Sequence, residues 1–107
     1  MKNKAVYNKL VRDNILEIIG DAGKKCTHHT ASDTEYDQKL REKLFEEIEE
    51  FYENPCEEEM ADILEVITHI MKLYLIDSYD VETARQAKEH RRGAFEKRII
   101  LEEVWNQ

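Results

Sequence analysis

Tyr36, Leu40, Leu44, Ile48, Phe51 and Tyr52 stand at helical spacing, and after Asn54-Pro55 the same rhythm resumes with Met60, Ile63, Leu64, Val66, Ile67, Ile70, Met71, Leu73, Tyr74, Leu75 and Ile76. A period near 3.6 on both sides of a single break commits the middle of the chain to two amphipathic helices. A connection this short folds them back on each other as an antiparallel hairpin with the apolar faces together.

The rest of the chain carries matching punctuation. With only three glycines and one proline in 107 residues, each falls between periodic segments. A first helix starts at about Asn8 or Asp13 and runs to Asp21, with Val11, Ile15, Ile18 and Ile19 on one face and Gly23 at its stop. Ser32-Asp33-Thr34-Glu35 has the form of a capping box, so the second helix spans about Asp33 to Glu53. Asn54 as cap and Pro55 at the first helical position open a third, which the apolar residues carry to about Asp77. Its last two turns are apolar nearly all round and call for a cover, read here as a second subunit in a homo-oligomer, dimer or tetramer. Asp80 caps a fourth helix from about Val81 to Arg92, closed by Gly93. Cys26–Ala31 reads as a short extended segment, and Arg98-Ile99-Ile100-Leu101 as a short strand or the base of a last helical turn. The expectation is one all-α domain over 1–107, a bundle of about four helices around the central hairpin with at most a short β segment.

Charge excludes several function classes. Between Glu42 and Glu65 eleven carboxylates face a single Lys43, and the formal net charge is −8. A polyanion needs a continuous basic face, so a nucleic acid polymer is a poor partner. No run approaches the length of a membrane span, and the opening Met1–Lys9 lacks the apolar stretch of a signal peptide. Cys26 and Cys56 lack CxxC spacing, which suits a reduced, cytoplasmic setting better than a disulfide framework or a zinc site with His28 and His29. Glu65 and His69, four apart, do not make the Glu-x-x-His pair of a di-iron bundle.

The acids themselves are placed selectively. Counting about 100° per residue, Glu47 projects between the directions of Tyr36 and Leu40, inside the apolar arc, with Glu50 at its edge, while Glu49 and Glu53 point away. On the third helix Glu59 falls between the directions of Val66 and Ile70, Asp62 lies a turn on at the margin, and Glu58, Glu65 and His69 form a polar stripe. In an antiparallel hairpin Glu47 and Glu50 meet Glu59 and Asp62. Four half-buried carboxylates repel unless a cation lies among them, and a hard divalent ion such as Mg²⁺, or Mn²⁺, takes oxygen ligands together with substrate phosphates. The alternative is a solvated acidic face, which is what most Glu-rich helices present.

Glu46-Glu47-Ile48-Glu49-Glu50 followed by Glu59-Met60-Ala61-Asp62 resembles the Glu-Glu-x-x-Glu and Glu-x-x-Asp signature of the MazG-like all-α nucleoside triphosphate pyrophosphohydrolases. Three blocks, Tyr7–Asp13, Glu58–Val66 and Arg92–Arg98, are similar to a small phosphoribosyl-ATP pyrophosphohydrolase-like, house-cleaning subgroup, and the likeness covers about Tyr7 to Val104. It implies metal-dependent hydrolysis of a nucleotide between the α and β phosphates, giving a monophosphate and pyrophosphate. Carried over by position, Glu47, Glu50, Glu59 and Asp62 would hold the metal. Glu46 would position or deprotonate the attacking water, or stand behind the ligands. Asn14 and Leu16 replace the Lys and Pro usual in relatives, and Ala94 a Gly. Only eight residues separate Glu50 from Glu59, shorter than in the dimeric dUTPase branch, which argues against that branch's substrate.

Phosphate contacts are drawn from two basic groups, Lys9 with Arg12, and Lys88, Arg91, Arg92, Lys97 and Arg98 around Gly93. Tyr7, Phe51, Tyr52, Tyr74 and Trp105 divide between stacking on a base and packing in a core or interface. A different class of protein, a non-catalytic helical interaction or regulatory bundle, would leave the acids solvated and use the apolar end of the third helix to bind a partner.

Overall fold

The computed structural model describes residues 4–106. It is all-α, with four helices, α1 (Ile15–Asp21), α2 (Asp33–Glu53), α3 (Glu57–Leu73) and α4 (Ser78–Arg92). The chain falls into two compact units, one up to Leu75 holding α1 to α3, the other from Ile76 onward holding α4. No strand forms among the described residues, so the short β segment expected at Cys26–Ala31 or Arg98–Leu101 is absent. An isolated extended run has no neighbour to take its backbone hydrogen bonds, and neither segment is given one.

In the first unit, α2 begins where the capping box placed it. Ser32 Oγ accepts the Glu35 backbone N–H at 3.2 Å, relieving one of the orphan donors of the first turn. The boundary with α3 differs from expectation. Cys56, in extended conformation, holds the cap position, no side chain caps this end, and Pro55 lies outside the helix. The turn therefore occupies residues 54–56, two more than a cap at Asn54 would leave. At its other end α3 stops at Leu73 rather than near Asp77, because Leu75 enters the left-handed region with φ +55° and its N–H turns back to the Lys72 carbonyl at 3.3 Å. A branched side chain pays about 1 kcal/mol to sit there.

α1 is shorter than predicted, seven residues with Asn14 before it, so Val11 lies outside and is exposed. Ile15 and Ile19, one turn apart, are half-buried, whereas Ile18 is exposed. The helix closes with a Schellman arrangement: Gly23 at φ +74° donates to the Gly20 carbonyl and Lys24 to that of Ile19.

The hairpin of α2 and α3 is the heart of this unit. Leu40 and Val66 are its buried apolar residues, and a glutamate, Glu47, is buried with them. The antiparallel sense follows from the pairs that meet: Asp37 and Arg41 with Tyr74 near one end, Glu47 and Glu50 with Glu59 and Asp62 nearer the turn.

In the second unit, α4 starts three residues earlier than expected. Asp77, not Asp80, is the cap, its carboxylate accepting the Asp80 N–H at 3.2 Å. Asp80 sits instead in the first turn, where the helix dipole favours an anion. Gly93, φ +83°, ends the helix as predicted. Arg85 bridges Glu82 and Glu89 along the exposed surface, each at 2.7 Å, and holds the Glu82 carboxyl down to about 2. Beyond α4 the described residues form no helix or strand, and Phe95, Ile99, Ile100, Leu101, Val104 and Trp105 are all exposed. Among the described residues no helix is long and apolar enough to cross a membrane.

Candidate metal centre

One turn of α2 and one of α3 face each other close to the hairpin turn. Glu47 and Glu50 are three apart on the first, Glu59 and Asp62 three apart on the second, so each pair projects from one side of its helix. Antiparallel pairing sets Glu47 opposite Asp62 and Glu50 opposite Glu59. One carboxylate oxygen from each of the four lies within 4.8 Å of the others. These are the four acids that the helical spacing points inward.

Their surroundings are graded. Glu47 is 6% exposed, Glu59 and Asp62 are half-buried, and Glu50 is open to solvent. Glu47 Oε1 lies 3.5 Å from Lys43 Nζ, but Glu47 Oε2 and Glu59 Oε2 are buried without any hydrogen-bond partner. A buried acceptor left bare costs about 1–3 kcal/mol, and more when it is charged. Burial is the main force pushing the Glu47 carboxyl up; a hydrogen bond shared with Glu50 and the charges of Glu50 and Asp62 add to it, against Lys43. Burial, then the charges of Glu50 and Asp62, raise Glu59 in the same way. Two orphaned oxygens, four converging carboxylates and the absence of a competing soft ligand fit a hard divalent cation.

The cations around the centre come partly from outside the hairpin. Arg12 reaches Asp62, Nη2 to Oδ1 at 2.6 Å, and Lys9 reaches Glu46, Nζ to Oε1 at 3.3 Å. Lys43 approaches the same Glu46 oxygen at 3.4 Å. Glu46 thus stands beside the four-acid group, held by two lysines. The segment bearing Lys9 and Arg12 is irregular and is moored by Lys39 Nζ, which donates to the Asn8 carbonyl at 2.9 Å. Asn8 takes φ +49°, a conformation asparagine tolerates better than most residues.

The other candidates divide between the two units. Lys88, Arg91, Arg92, Lys97 and Arg98 belong to the second unit and are exposed. Tyr7, Tyr52 and Trp105 are exposed as well, and Tyr74 is engaged with Asp37 and Arg41. Phe51 lines a shallow apolar depression at the hairpin turn with Pro55, Cys56, Met60, Ala61 and Leu64. His69 is paired with Glu65 at 2.8 Å on the polar stripe of α3, and both cysteines are free. Sequence spacing did not pair Lys9 with Glu46 or Arg12 with Asp62. Their only signal was a basic pair three residues apart just ahead of the first helix. No family model, curated protein or solved structure matches the chain.

Proposed function

We propose that the chain is a divalent-cation-dependent nucleotide pyrophosphohydrolase. The observation that carries this reading is the group of four carboxylate oxygens within 4.8 Å, two of whose acids keep a buried, unpartnered oxygen. The resemblance of its acidic motifs and flanking blocks to the MazG-like enzymes supports the same reading. The substrate class is a nucleoside triphosphate or a phosphoribosyl-ATP-like nucleotide, cleaved between the α and β phosphates, and the role is clearance of unwanted nucleotides from the pool.

Glu47, Glu50, Glu59 and Asp62 would hold Mg²⁺, or Mn²⁺. When bound, such an ion draws negative charge from phosphate oxygens and favours departure of pyrophosphate. Glu46, outside that group yet next to Glu47, accepts a proton from the attacking water. The water oxygen forms the new bond to phosphorus, the anhydride bond breaks, its electron pair leaves with pyrophosphate, and the proton passes from Glu46 to solvent. Lys9 and Arg12, already at Glu46 and Asp62, offer charge-assisted hydrogen bonds to the phosphates. The exposed apolar side chains beyond α4 favour a homo-oligomer, dimer or tetramer.

The same exposed side chains give the competing reading its footing, a non-catalytic helical interaction bundle whose acids are merely solvated. Pyrophosphate release from a panel of nucleoside triphosphates and phosphoribosyl-ATP, with Mg²⁺ or Mn²⁺ and with excess chelator, separates the two. Metal-dependent release that Glu47→Gln abolishes is expected. No release from any nucleotide, with melting insensitive to metal, would leave the interaction bundle as the better account.

A further inference from the structure

Five acids (Glu46, Glu47, Glu50, Glu59 and Asp62) and three cations (Lys9, Arg12 and Lys43) make up the centre and its rim. The three cations are not equivalent. Lys43 belongs to α2, where it neighbours Glu46 and Glu47 by helical register and is largely covered. Lys9 and Arg12 come from an irregular segment 37 and 50 residues away from their partners, and half or more of each side chain is exposed. Both can let go without any helix moving.

Arg12 is the telling one, because its partner Asp62 is itself a member of the four-acid group. Its guanidinium sits on a carboxylate that a metal ion would also use, and two positive charges at one carboxylate repel. We infer that Arg12 is a displaceable counter-ion: it neutralises Asp62 while the centre holds no metal, yields that carboxylate to an arriving divalent cation, and then offers its guanidinium to the polyphosphate that binds with the metal. Lys9 is paired with Glu46, outside the four-acid group, so it frees no metal ligand and can only turn its charge to the polyphosphate. The Lys39 bond to the Asn8 carbonyl keeps both side chains within a few residues of a fixed point, so a released cation stays beside the site. This inference rests on the metal-binding reading above and adds to it a direction of coupling. Metal alone must compete with Arg12, whereas metal with a polyanion gains from it, so each tightens the binding of the other.

The test is Mn²⁺ binding to the full chain, followed by the paramagnetic signal of free Mn²⁺, with and without a non-hydrolysable α,β-imido nucleoside triphosphate. Wild type, Arg12→Gln, Arg12→Lys and Glu47→Gln are compared, with circular dichroism to verify folding. Losing an exposed-side ion pair that opposes the metal should make Arg12→Gln bind Mn²⁺ alone about two- to fivefold more tightly than wild type. The imido nucleotide should then tighten Mn²⁺ binding in wild type, do so less in Arg12→Gln, and recover part of its effect in Arg12→Lys, which keeps the charge but not the fork. A folded Arg12→Gln whose Mn²⁺ affinity is unchanged or lower, or whose response to the nucleotide equals that of wild type, overturns the counter-ion role alone. Wild type that binds no Mn²⁺ beyond what Glu47→Gln binds overturns the metal reading, and the counter-ion role with it.

Discussion

One hairpin treats its acids in opposite ways along its length. Where the start of α2 meets the end of α3, Asp37 accepts hydrogen bonds from the Tyr74 hydroxyl and from Arg41 Nε, and Arg41 also donates to that hydroxyl and lies over the Tyr74 ring, 5.5 Å from its centre. The tyrosine hydrogen bond first, and then the arginine, hold the Asp37 carboxyl below its usual range. Near the turn, Glu47 and Glu59 are pushed up and each keeps a bare oxygen. The first place is a closed hydrogen-bonded clasp, complete with the side chains the chain supplies. The second leaves one oxygen each of Glu47 and Glu59 without a partner where four carboxylates meet. The two places differ in whether the chain supplies partners for their acids, not in the number of acids.

The sharpest way to break this contrast is to remove a charge from each place. Glu47→Gln should abolish the rise in melting temperature expected of wild type with Mg²⁺ or Mn²⁺, while leaving the metal-free protein as stable as before or more so, since a repelling buried charge has gone; Asp62→Asn should abolish the same rise but also gives up the Arg12 pair. A thermal-shift titration with and without chelator reads both effects. A variant that keeps the full metal response would sink the assignment of that acid.

A second and smaller effect separates the two places by pH. Glu47 and Glu59 bind protons more readily in the fold than in the unfolded chain, so their effect on stability grows worse as pH rises above the ordinary glutamate value of 4.5 through their raised values. Metal-free protein should therefore melt at lower temperature at about pH 7.5 than at about pH 5.5, and saturating metal, which competes with protons, should flatten or reverse that slope. Asp37 and Glu82 act with the opposite sign. Their stabilisation is full above the usual carboxylate range and is lost as pH falls through their lowered values, about 2 for Glu82. Melting curves across this range, run with and without Glu47→Gln, would show whether the neutral-side slope belongs to the four-acid group.

The smallest expected change comes from the clasp. Tyr74→Phe removes the hydroxyl that joins Asp37 to Arg41 at an exposed site, and should lower the melting temperature by no more than a few degrees while the metal-induced shift stays intact. A lost metal response in that variant would mean that the two places are coupled.

Much of the hairpin was legible before its structure. The capping box gave the start of α2, and helical register alone turned Glu47 inward and Glu49 and Glu53 outward, because these features depend on residues within one or two turns. Legibility failed where an outcome depended on residues far apart. Tyr74 was divided between stacking on a base and packing, and its bond to Asp37 spans 37 residues; Arg12 finds Asp62 across 50. Those pairings are fixed by the path of the intervening chain, which spacing does not encode. Ends also misled: Pro55 promised a first helical position, but Cys56 took the cap, and Leu75 turned α3 off four residues early.

All four acids lie between positions 47 and 62, on two helices joined by residues 54–56. Contacts of such short separation are among the earliest a folding chain makes, so the like charges meet before distant segments such as that of Arg12 arrive to offset them. Repulsion then falls on the ascent to the native state, not only on the finished fold. If the four acids hold a divalent ion, as proposed, that ion in the refolding buffer is expected to speed refolding, where an ion admitted only after assembly would do no more than slow unfolding.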